Sequence, residues 1–68
     1  MLGEELRTAR VESGLTQEEL AFEAEISRNY VSLLELNQKS PTLDVLFQIC
    51  RALGISAAEL IARVEASR

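Results

Sequence analysis

The stretch GLTQEELAFEAEISRNYVSLLELNQKSP, residues 14–41, contains two short apolar segments, and each begins with a capping residue. Thr16 is followed three residues later by a glutamate, the spacing at which a hydroxyl and a carboxylate each satisfy a backbone N–H at a helix start. Ser27 can cap the second segment, in which Val31 and Leu34 have the spacing of one helix face. Because few residues separate the segments, the sequence predicts two short helices joined by a sharp turn.

The outer face of the second predicted helix is polar. Arg28, Asn29 and Ser32 lie opposite its apolar side, and Gln38 and Lys39 follow just beyond its end. A helix-turn-helix offers side chains to the major groove of DNA with this arrangement, in which the helix after the turn presents a strip of hydrogen-bonding groups. The pattern therefore favours recognition of duplex DNA.

The whole chain predicts five helices and no strand, because no period-two alternation or hairpin dipeptide occurs in it. The predicted helices span residues 2–13, 17–23, 28–36, 43–53 and 57–64. Gly14 and Gly54 are expected to end the first and fourth helices in the left-handed conformation, and Asn37 the third. Ser56 and Glu59 repeat the capping box at the start of the fifth helix. We expect an all-α fold and one domain over residues 1–68.

Residue composition argues against an enzyme. The chain has no histidine and one cysteine, which excludes histidine-based catalysis, histidine metal sites and an internal disulfide. The adjacent glutamates at 4–5 and 18–19 lie at helix starts, where a carboxylate interacts favourably with the positive end of the helix dipole. This role makes acid–base catalysis by these pairs an unnecessary explanation. Cys50 is spaced with Leu46 and Leu53 and is expected to be a buried small hydrophobe. We expect no catalytic residue, no metal and no cofactor.

The sequence indicates neither a membrane-spanning segment nor a signal peptide. No apolar run approaches the ~20 residues that span a bilayer. The N-terminal sequence MLGEELRTAR is amphipathic and of mixed charge, unlike a signal peptide. Together with the single cysteine, this predicts a cytoplasmic protein with no membrane partner and no evident small-molecule substrate.

The net charge opposes the DNA-binding interpretation. Eleven acidic and seven basic residues give a net charge of −4, whereas phosphate neutralisation usually calls for a basic protein. The charges are unevenly distributed, however. Between residues 27 and 42 the only acid is Glu35, against Arg28 and Lys39. We therefore expect a mildly positive face on a negative body, with weakened non-specific binding to DNA.

The chain resembles the Cro and phage-repressor family of helix-turn-helix proteins, also called the XRE family, over nearly its whole length. The matching residues are Arg10, GLTQEELA at 14–21, Ile26-Ser27, Tyr30-Val31-Ser32, Glu35, Pro41-Thr42-Leu43 and ALGIS at 52–56. The resemblance implies a compact five-helix, lambda-repressor-like DNA-binding fold with the helix-turn-helix formed by helices two and three. The runs RNYVS at 28–32 and ICRAL at 49–53 are also similar to those of controller proteins of restriction–modification systems.

The resemblance also implies roles for individual residues. The recognition helix would span 28–36 and would read bases with Arg28, Asn29, Ser32 and Leu33, of which Arg suits guanine, Asn adenine and Leu the thymine methyl. The residues that match phosphate contacts are Gln17, Ser27, Tyr30, Asn37, Gln38, Lys39 and Thr42. Arg10 and Glu35 match an ion pair that orients the recognition helix.

At three places the chain departs from the family pattern. Leu36-Asn37 stands where a polar residue and glycine are common, and a leucine cannot hydrogen-bond to a phosphate. Phe22 and Glu25 are unusual in the turn region, where a small residue or glycine is common near position 25. We expect the turn to form without glycine, at some backbone strain.

One recognition helix reads only a few base pairs. Specific recognition therefore needs a second copy of the protein, with two half-sites roughly 34 Å apart on one face of the DNA. The apolar residues that exceed what so small a domain can bury alone are Phe47, Leu60, Ile61 and Val64. We therefore predict a homodimer through helix five and the adjacent face of helix four. The alternative is that helix five merely covers the core of one protomer. The predicted function is a sequence-specific, double-stranded DNA-binding transcriptional regulator that acts as a homodimer on a palindromic operator.

Other interpretations of these residues remain open from the sequence. A protein-interaction module of the same fold that does not bind DNA is the alternative function, and the acidic net charge supports it. Arg28, Asn29 and Ser32 are also compatible with an ordinary solvated helix face. Gln17 would then be a plain polar helix start, and Tyr30 an aromatic at the edge of the core with its hydroxyl in water.

Overall fold

A computed structural model describes residues 1–67 as five α-helices joined by short loops. The helices are α1 (Leu2–Glu12), α2 (Gln17–Ala24), α3 (Arg28–Glu35), α4 (Leu43–Leu53) and α5 (Ala57–Ala66). No strand occurs in residues 1–67, which confirms the predicted all-α fold. The bounds of α4 agree with the prediction, and the other helices differ from it by one or two residues at their C-terminal ends.

Side-chain caps begin α2 and α3 as predicted, and a third side-chain cap begins α4. The Thr16 hydroxyl accepts the Glu19 backbone N–H at 3.0 Å, and the Glu19 carboxylate accepts the Thr16 backbone N–H at 2.9 Å, so the capping box is complete. The hydroxyls of Ser27 and Thr42 each accept the backbone N–H three residues ahead, at 3.0 and 3.1 Å. Because these bonds are made within one turn of the chain, they set the starts of the three helices independently of the rest of the fold.

At the start of α5 only half of the predicted capping box forms. The Ser56 hydroxyl accepts the Glu59 backbone N–H at 3.0 Å. The Glu59 carboxylate lies 3.5 Å from Nη2 of Arg63, one turn further along the helix, instead of returning to Ser56. Arg63 is also paired with Glu12 of α1 at 3.2 Å. The prediction of a reciprocal box was wrong because this cation draws the carboxylate away from the helix start.

Four residues in the described part of the chain have positive φ angles, and each lies at or just beyond a helix end. Gly14 and Gly54 have φ angles of 76° and 73°, and Asn37 has 59°, as predicted. Glu25, which ends α2, has a φ of 61°. The turn between α2 and α3 therefore forms without glycine, in a conformation that is unfavourable for a residue with a Cβ.

The core contains apolar side chains from all five helices. α2 packs against both α3 and α4, whereas α1 packs against α3 and α5. The largest fully buried side chains are Leu6, Leu20, Val31, Leu34, Ile49 and Leu60. Cys50 is buried as predicted, and burial raises the pKa of its thiol.

Leu60 belongs to this core, which corrects its assignment to a dimer interface. Its side chain is 0% exposed, and it is the one buried residue that α5 contributes. A side chain without accessible surface cannot contact a second protomer. Phe47 and Ile61 are each 48% exposed, and Val64 is half-buried, so these three residues keep accessible apolar surface. Helix α5 thus covers the core with one face and leaves apolar groups on another.

Two further properties concern residues 1–67 as a whole. Taken singly, none of the five helices has both the length and the apolarity needed to cross a membrane, and α4 and α5 meet those requirements only in combination, across a bend of 102°. These residues also contain no cluster of three or more cysteine, aspartate or glutamate side chains that could hold a metal ion.

Candidate nucleic-acid interface

The two faces of α3 differ in chemistry as the sequence predicts. Val31, Leu34 and Glu35 are buried. We call the opposite side of the helix its outer face. Its residues recur at helical spacing, beginning at the first residue of α3, and are exposed or half-buried: Arg28, Asn29, Ser32, Leu33 and Leu36. The four residues predicted to contact bases are therefore brought together on one side of one helix. The sequence pattern did not single out Leu36 as part of this face.

Glu35 is held by the ion pair that the family resemblance implies. Arg10 donates from Nε to Glu35 Oε2 at 2.6 Å and from Nη2 to Oε1 at 3.1 Å. The two side chains are only 11% and 3% exposed. Nη1 of Arg10 donates in addition to the carbonyl oxygen of Leu15 at 2.9 Å. This two-point contact between a planar guanidinium and a carboxylate fixes how α3 is rotated against α1, and so the direction in which its outer face points.

Gln17 joins the same cluster, which the sequence did not indicate. Its Nε2 donates to Glu35 Oε1 at 3.1 Å. The bond uses one of the two amide N–H groups and ties the start of α2 to α3. A contact between Gln17 and phosphate stays a prediction, and the backbone N–H of this residue, at the positive end of α2, can also make it.

Arg28 faces the start of α2 across an open groove of about 610 Å³. The groove is lined by the loop and helix start at residues 14–18 and by Arg10, Val11 and Arg28. The lining thus includes the positive end of the α2 dipole and the cation of Arg28, together with the acid Glu18. Anions bind readily at such helix starts, so the groove suits a backbone phosphate beside the outer face of α3.

The remaining predicted phosphate contacts are placed in different ways. Gln38 and Lys39 are exposed in the loop after α3. The hydroxyl oxygens of Ser27 and Thr42 already accept a backbone N–H as helix caps, which leaves their O–H groups to donate. Tyr30 is half-buried and packs against the core, in agreement with the alternative interpretation of this aromatic.

The side chain of Asn37 bonds to α1. Its Oδ1 accepts the backbone N–H of Gly3 at 2.9 Å, and its Nδ2 donates to Glu4 Oε1 at 2.9 Å. The bond from Asn37 is the main cause that lowers the pKa of the Glu4 carboxyl from its ordinary value of 4.5. Both polar atoms of this carboxamide are thus engaged within the protomer, although the sequence pattern predicts that they contact phosphate.

Arg7 lies on the same side of the molecule, and the sequence pattern did not identify it. It is exposed on α1 and lines a groove of about 310 Å³ together with Gln17, Ser32 and Leu36. Within residues 1–67 it forms no ion pair. The sequence could have indicated Arg7, because it precedes Arg10 by three residues and so lies on the same face of α1. Arg10 was expected to point toward α3.

The charged groups divide the surface into two regions. Arg7, Arg28 and Lys39 lie around the outer face of α3, where the only acid of that helix is neutralised by its ion pair. Helix α2 carries the opposite charge on its exposed side, where Phe22 is 85% exposed and shares a shallow groove with Glu18, Glu19 and Glu23. Three of the seven cations thus lie on or near α3, although the chain as a whole is acidic.

The fold and this arrangement define the class of protein. The chain matches the helix-turn-helix family over residues 6–60. It therefore belongs to the helix-turn-helix family of the XRE type, whose members are DNA-binding transcriptional regulators and not enzymes.

Known relatives cover most of the chain. The HTH-type transcriptional regulator y4dJ of Sinorhizobium fredii is 38% identical over 61 residues, which are 90% of this chain and 79% of the relative. The crystal structure of the clp gene regulator ClgR from C. glutamicum matches with a TM-score of 0.92 and 36% identity, over 97% of this chain and 86% of that one.

A restriction–modification controller is similar to the same degree. The structure of C.AhdI from Aeromonas hydrophila matches with a TM-score of 0.85 and 37% identity, over 87% of this chain and 89% of that one. The predicted likeness to such controllers is confirmed. Because ClgR matches equally well, the likeness extends beyond controller proteins.

Proposed function

We propose that this protein is a sequence-specific regulator that inserts α3 into the major groove of duplex DNA and acts as a homodimer on a palindromic operator. The observation that supports this most directly is the outer face of α3, which presents Arg28, Asn29, Ser32 and Leu33 on one side of a firmly oriented helix. Their chemistry suits base edges, since arginine can bond to guanine O6 and N7, asparagine to adenine N6 and N7, and leucine can pack on a thymine methyl.

Phosphate contacts at the two ends of α3 would position this helix. The groove at the start of α2 lies near Arg28 at one end, and Gln38 and Lys39 follow the other end. An eight-residue helix is about 12 Å long, and the major groove is about 12 Å wide, so groups at both ends are placed to reach the two flanking backbones. Such contacts set the register, while the base contacts carry the sequence information.

Dimerisation would use the accessible apolar groups of α4 and α5. Phe47 and Ile61 are half-exposed, Val64 is half-buried, and none of the three is needed to complete the buried core. A two-fold axis through this surface pairs like residues with like and presents two α3 helices to successive major grooves. Two helices bound at once also offset the weak attraction expected from a protein with a net charge of −4.

Selection of binders from a randomised duplex library tests the proposal. At about 150 mM salt we expect enrichment of a palindrome whose half-sites are centred about 10 base pairs apart. The protein carrying both Arg28→Ala and Asn29→Ala serves as the control and should enrich no palindrome. If the parent protein enriches no sequence at 150 mM or at 50 mM salt, the proposal is wrong.

The protein-interaction alternative is favoured by one observation, the exposed Phe22 among acidic side chains on α2. An aromatic ring surrounded by carboxylates would not attract DNA, and a large exposed apolar group often marks contact with another protein. The same selection separates the two functions. Enrichment that Phe22→Ala leaves unchanged supports DNA recognition through α3, whereas absence of enrichment with a folded parent protein supports the alternative.

A further inference from the structure

The start of α1 is capped from a distant part of the chain. Met1 occupies the N-cap position and makes no side-chain cap bond. The first-turn N–H of Gly3 is instead accepted by Oδ1 of Asn37, 34 residues later in the sequence, at 2.9 Å. The Nδ2 group of the same carboxamide donates to Glu4 in the first turn of α1, also at 2.9 Å. Asn37 thus provides for α1 the acceptor that a local serine or threonine provides for α2 to α5.

Asn37 also ends α3. Its backbone N–H donates to the Leu34 carbonyl oxygen at 3.1 Å, and the next N–H, of Gln38, donates to the Leu33 carbonyl oxygen at 2.9 Å. This bonding closes the helix around a left-handed residue, and the φ of Asn37 is 59°. Glycine would adopt this conformation at lower cost, but it would have no carboxamide to bond to α1.

The contact between α1 and α3 is close at this point. Gly3 is buried, and a Cβ atom there would overlap the carbonyl oxygen of Glu35 and lie 2.8 Å from Asn37 Oδ1. Only a residue without a side chain allows the first turn of α1 to approach the end of α3 so closely. Gly3, Glu4 and Asn37 therefore form one joint, which we call the α1–α3 joint, directly before the loop that carries Gln38 and Lys39.

We propose that Asn37 is a positioning residue for DNA binding and not a phosphate contact: it anchors one end of the α3–α4 loop to α1 so that Gln38 and Lys39 are held in place for the phosphate backbone. This inference rests on the proposed function. The other end of the loop is anchored by the Thr42 cap of α4. Between these anchors the loop has no helix of its own, so the joint decides how much freedom Lys39 loses on binding.

The sharpest test exchanges donor and acceptor in the joint. Asn37→Asp keeps an acceptor for Gly3 but places a second carboxylate against Glu4. Adding Glu4→Gln restores a donor–acceptor pair with the same net charge as the parent protein. Affinity is measured on the operator selected for the parent protein and on a random duplex of equal length.

For a positioning role we expect Asn37→Asp to weaken binding to both duplexes by about 10-fold, and the exchanged pair to recover most of that loss. Asn37→Gly should weaken binding about 3- to 10-fold, because the loop loses its bonds to α1. Glu25→Gly is the control for the backbone change, because it places glycine at a similar φ of 61° away from the joint. Since it also removes one acid, it should not lower the affinity.

Direct phosphate contact gives different results. Glu4→Gln would then not rescue Asn37→Asp, because the carboxylate at position 37 would still repel the phosphate. That result overturns the positioning role.

Amide hydrogen exchange on the free protein tests the joint without DNA. Asn37→Gly should speed exchange at Gly3 and at Gln38, whose amide N–H groups are hydrogen-bonded to Asn37 and to Leu33, whereas Glu25→Gly should not. Unchanged exchange at these amides overturns the positioning role even if the variants bind DNA poorly. Failure of the parent protein to bind any duplex would instead contradict the proposed function, and the exchange result would still decide whether the joint restrains the loop.

Discussion

At the scale of single residues, Arg10 and Glu35 form the most deeply buried ion pair among residues 1–67. The pair is almost completely withdrawn from solvent, and it receives two further bonds, from Arg10 to Leu15 and from Gln17 to Glu35. A buried pair of this kind does not necessarily add stability over apolar residues of the same shape. The pair instead sets the orientation of α3, since planar groups with fixed bond angles allow one orientation of α3 against α1.

Removing one member of this pair should cost much more than removing both. We expect Arg10→Met or Glu35→Leu alone to lower the free energy of unfolding by about 3–5 kcal/mol, because each leaves an uncompensated buried charge. The double variant should lose clearly less than the sum. Urea denaturation of the parent protein, both single variants and the double variant measures this. Strictly additive losses would show that the two side chains do not interact.

Arg28 and Lys39 should affect DNA binding in different ways. Arg28→Ala is expected to lower specific binding by about 1–3 kcal/mol and to relax the base preference at one position of each half-site. Lys39→Ala should weaken binding to all sequences alike and reduce the salt slope by about 1. Titrations over a range of salt on operator and random duplexes measure both effects.

Arg51→Ala is the charge-matched control for these two variants, because it removes an exposed arginine from α4. It should change neither the base preference nor the salt slope. Equal losses for Arg28→Ala on operator and random DNA would contradict its role in base readout.

Glu4 makes the stability of the α1–α3 joint depend on pH. Its carboxyl pKa is below 4.5 in the folded protein, chiefly because of the bond from Asn37, and the amino group of Met1 lies 3.7 Å away. A lowered pKa stabilises the fold above the unfolded value and loses that contribution as the pH falls through the folded value. The gap in melting temperature between the parent protein and Asn37→Gly should therefore be constant above about pH 5.5 and shrink below pH 4.5. A gap that widens on acidification would contradict the bond between Glu4 and Asn37.

At the scale of the helices and turns, two non-glycine residues share one backbone conformation with opposite consequences. Glu25 and Asn37 have φ angles of 61° and 59°. A left-handed residue with a Cβ costs about 1–2 kcal/mol, while glycine adds about 0.4–1 kcal/mol of entropy loss on folding. At position 25 the relief of strain outweighs that loss. At position 37 the two side-chain bonds of the joint reverse the balance.

We therefore expect Glu25→Gly to stabilise the fold by up to about 1 kcal/mol, and Asn37→Gly to destabilise it by a similar amount. Thermal melts at pH 7 compare the two variants directly with the parent protein. If both substitutions stabilise, the bonds from Asn37 contribute nothing to folding. If both destabilise, Glu25 makes a contact that its backbone conformation does not reveal.

At the scale of the whole molecule, the accessible apolar groups of α4 and α5 form the interface of the proposed dimer. Ile61→Asp should convert a dimer to a folded monomer, because a carboxylate at a half-exposed position is tolerated by one protomer but not between two. Phe22→Asp is the control, since it makes the same kind of change on α2 and should leave association unchanged. Sedimentation at micromolar concentration, free and with operator DNA, gives the result. A parent protein that remains monomeric on its operator would refute the dimer.

Most of the fold could be predicted because its starts and stops are local. The caps at Thr16, Ser27 and Thr42 bond to groups three residues away. Glycine or asparagine just beyond a helix end favours the left-handed conformation whatever surrounds it. The outer face of α3 could be predicted for the same reason, since helical period alone separates it from Val31 and Leu34. The Arg10–Glu35 pair was recognised through family likeness, not through its spacing.

The sequence by itself determined the five helices, the turn between α2 and α3 and the polar strip on α3, because these depend on neighbours within about one turn. Tertiary packing alone decided the rest. It buried Leu60 in the core instead of leaving it to a partner, and it turned Gln17 toward Glu35, 18 residues away. It also bound Asn37 to the first turn of α1 across 34 residues. Contacts between residues so far apart depend on how the helices cross, which no local pattern specifies.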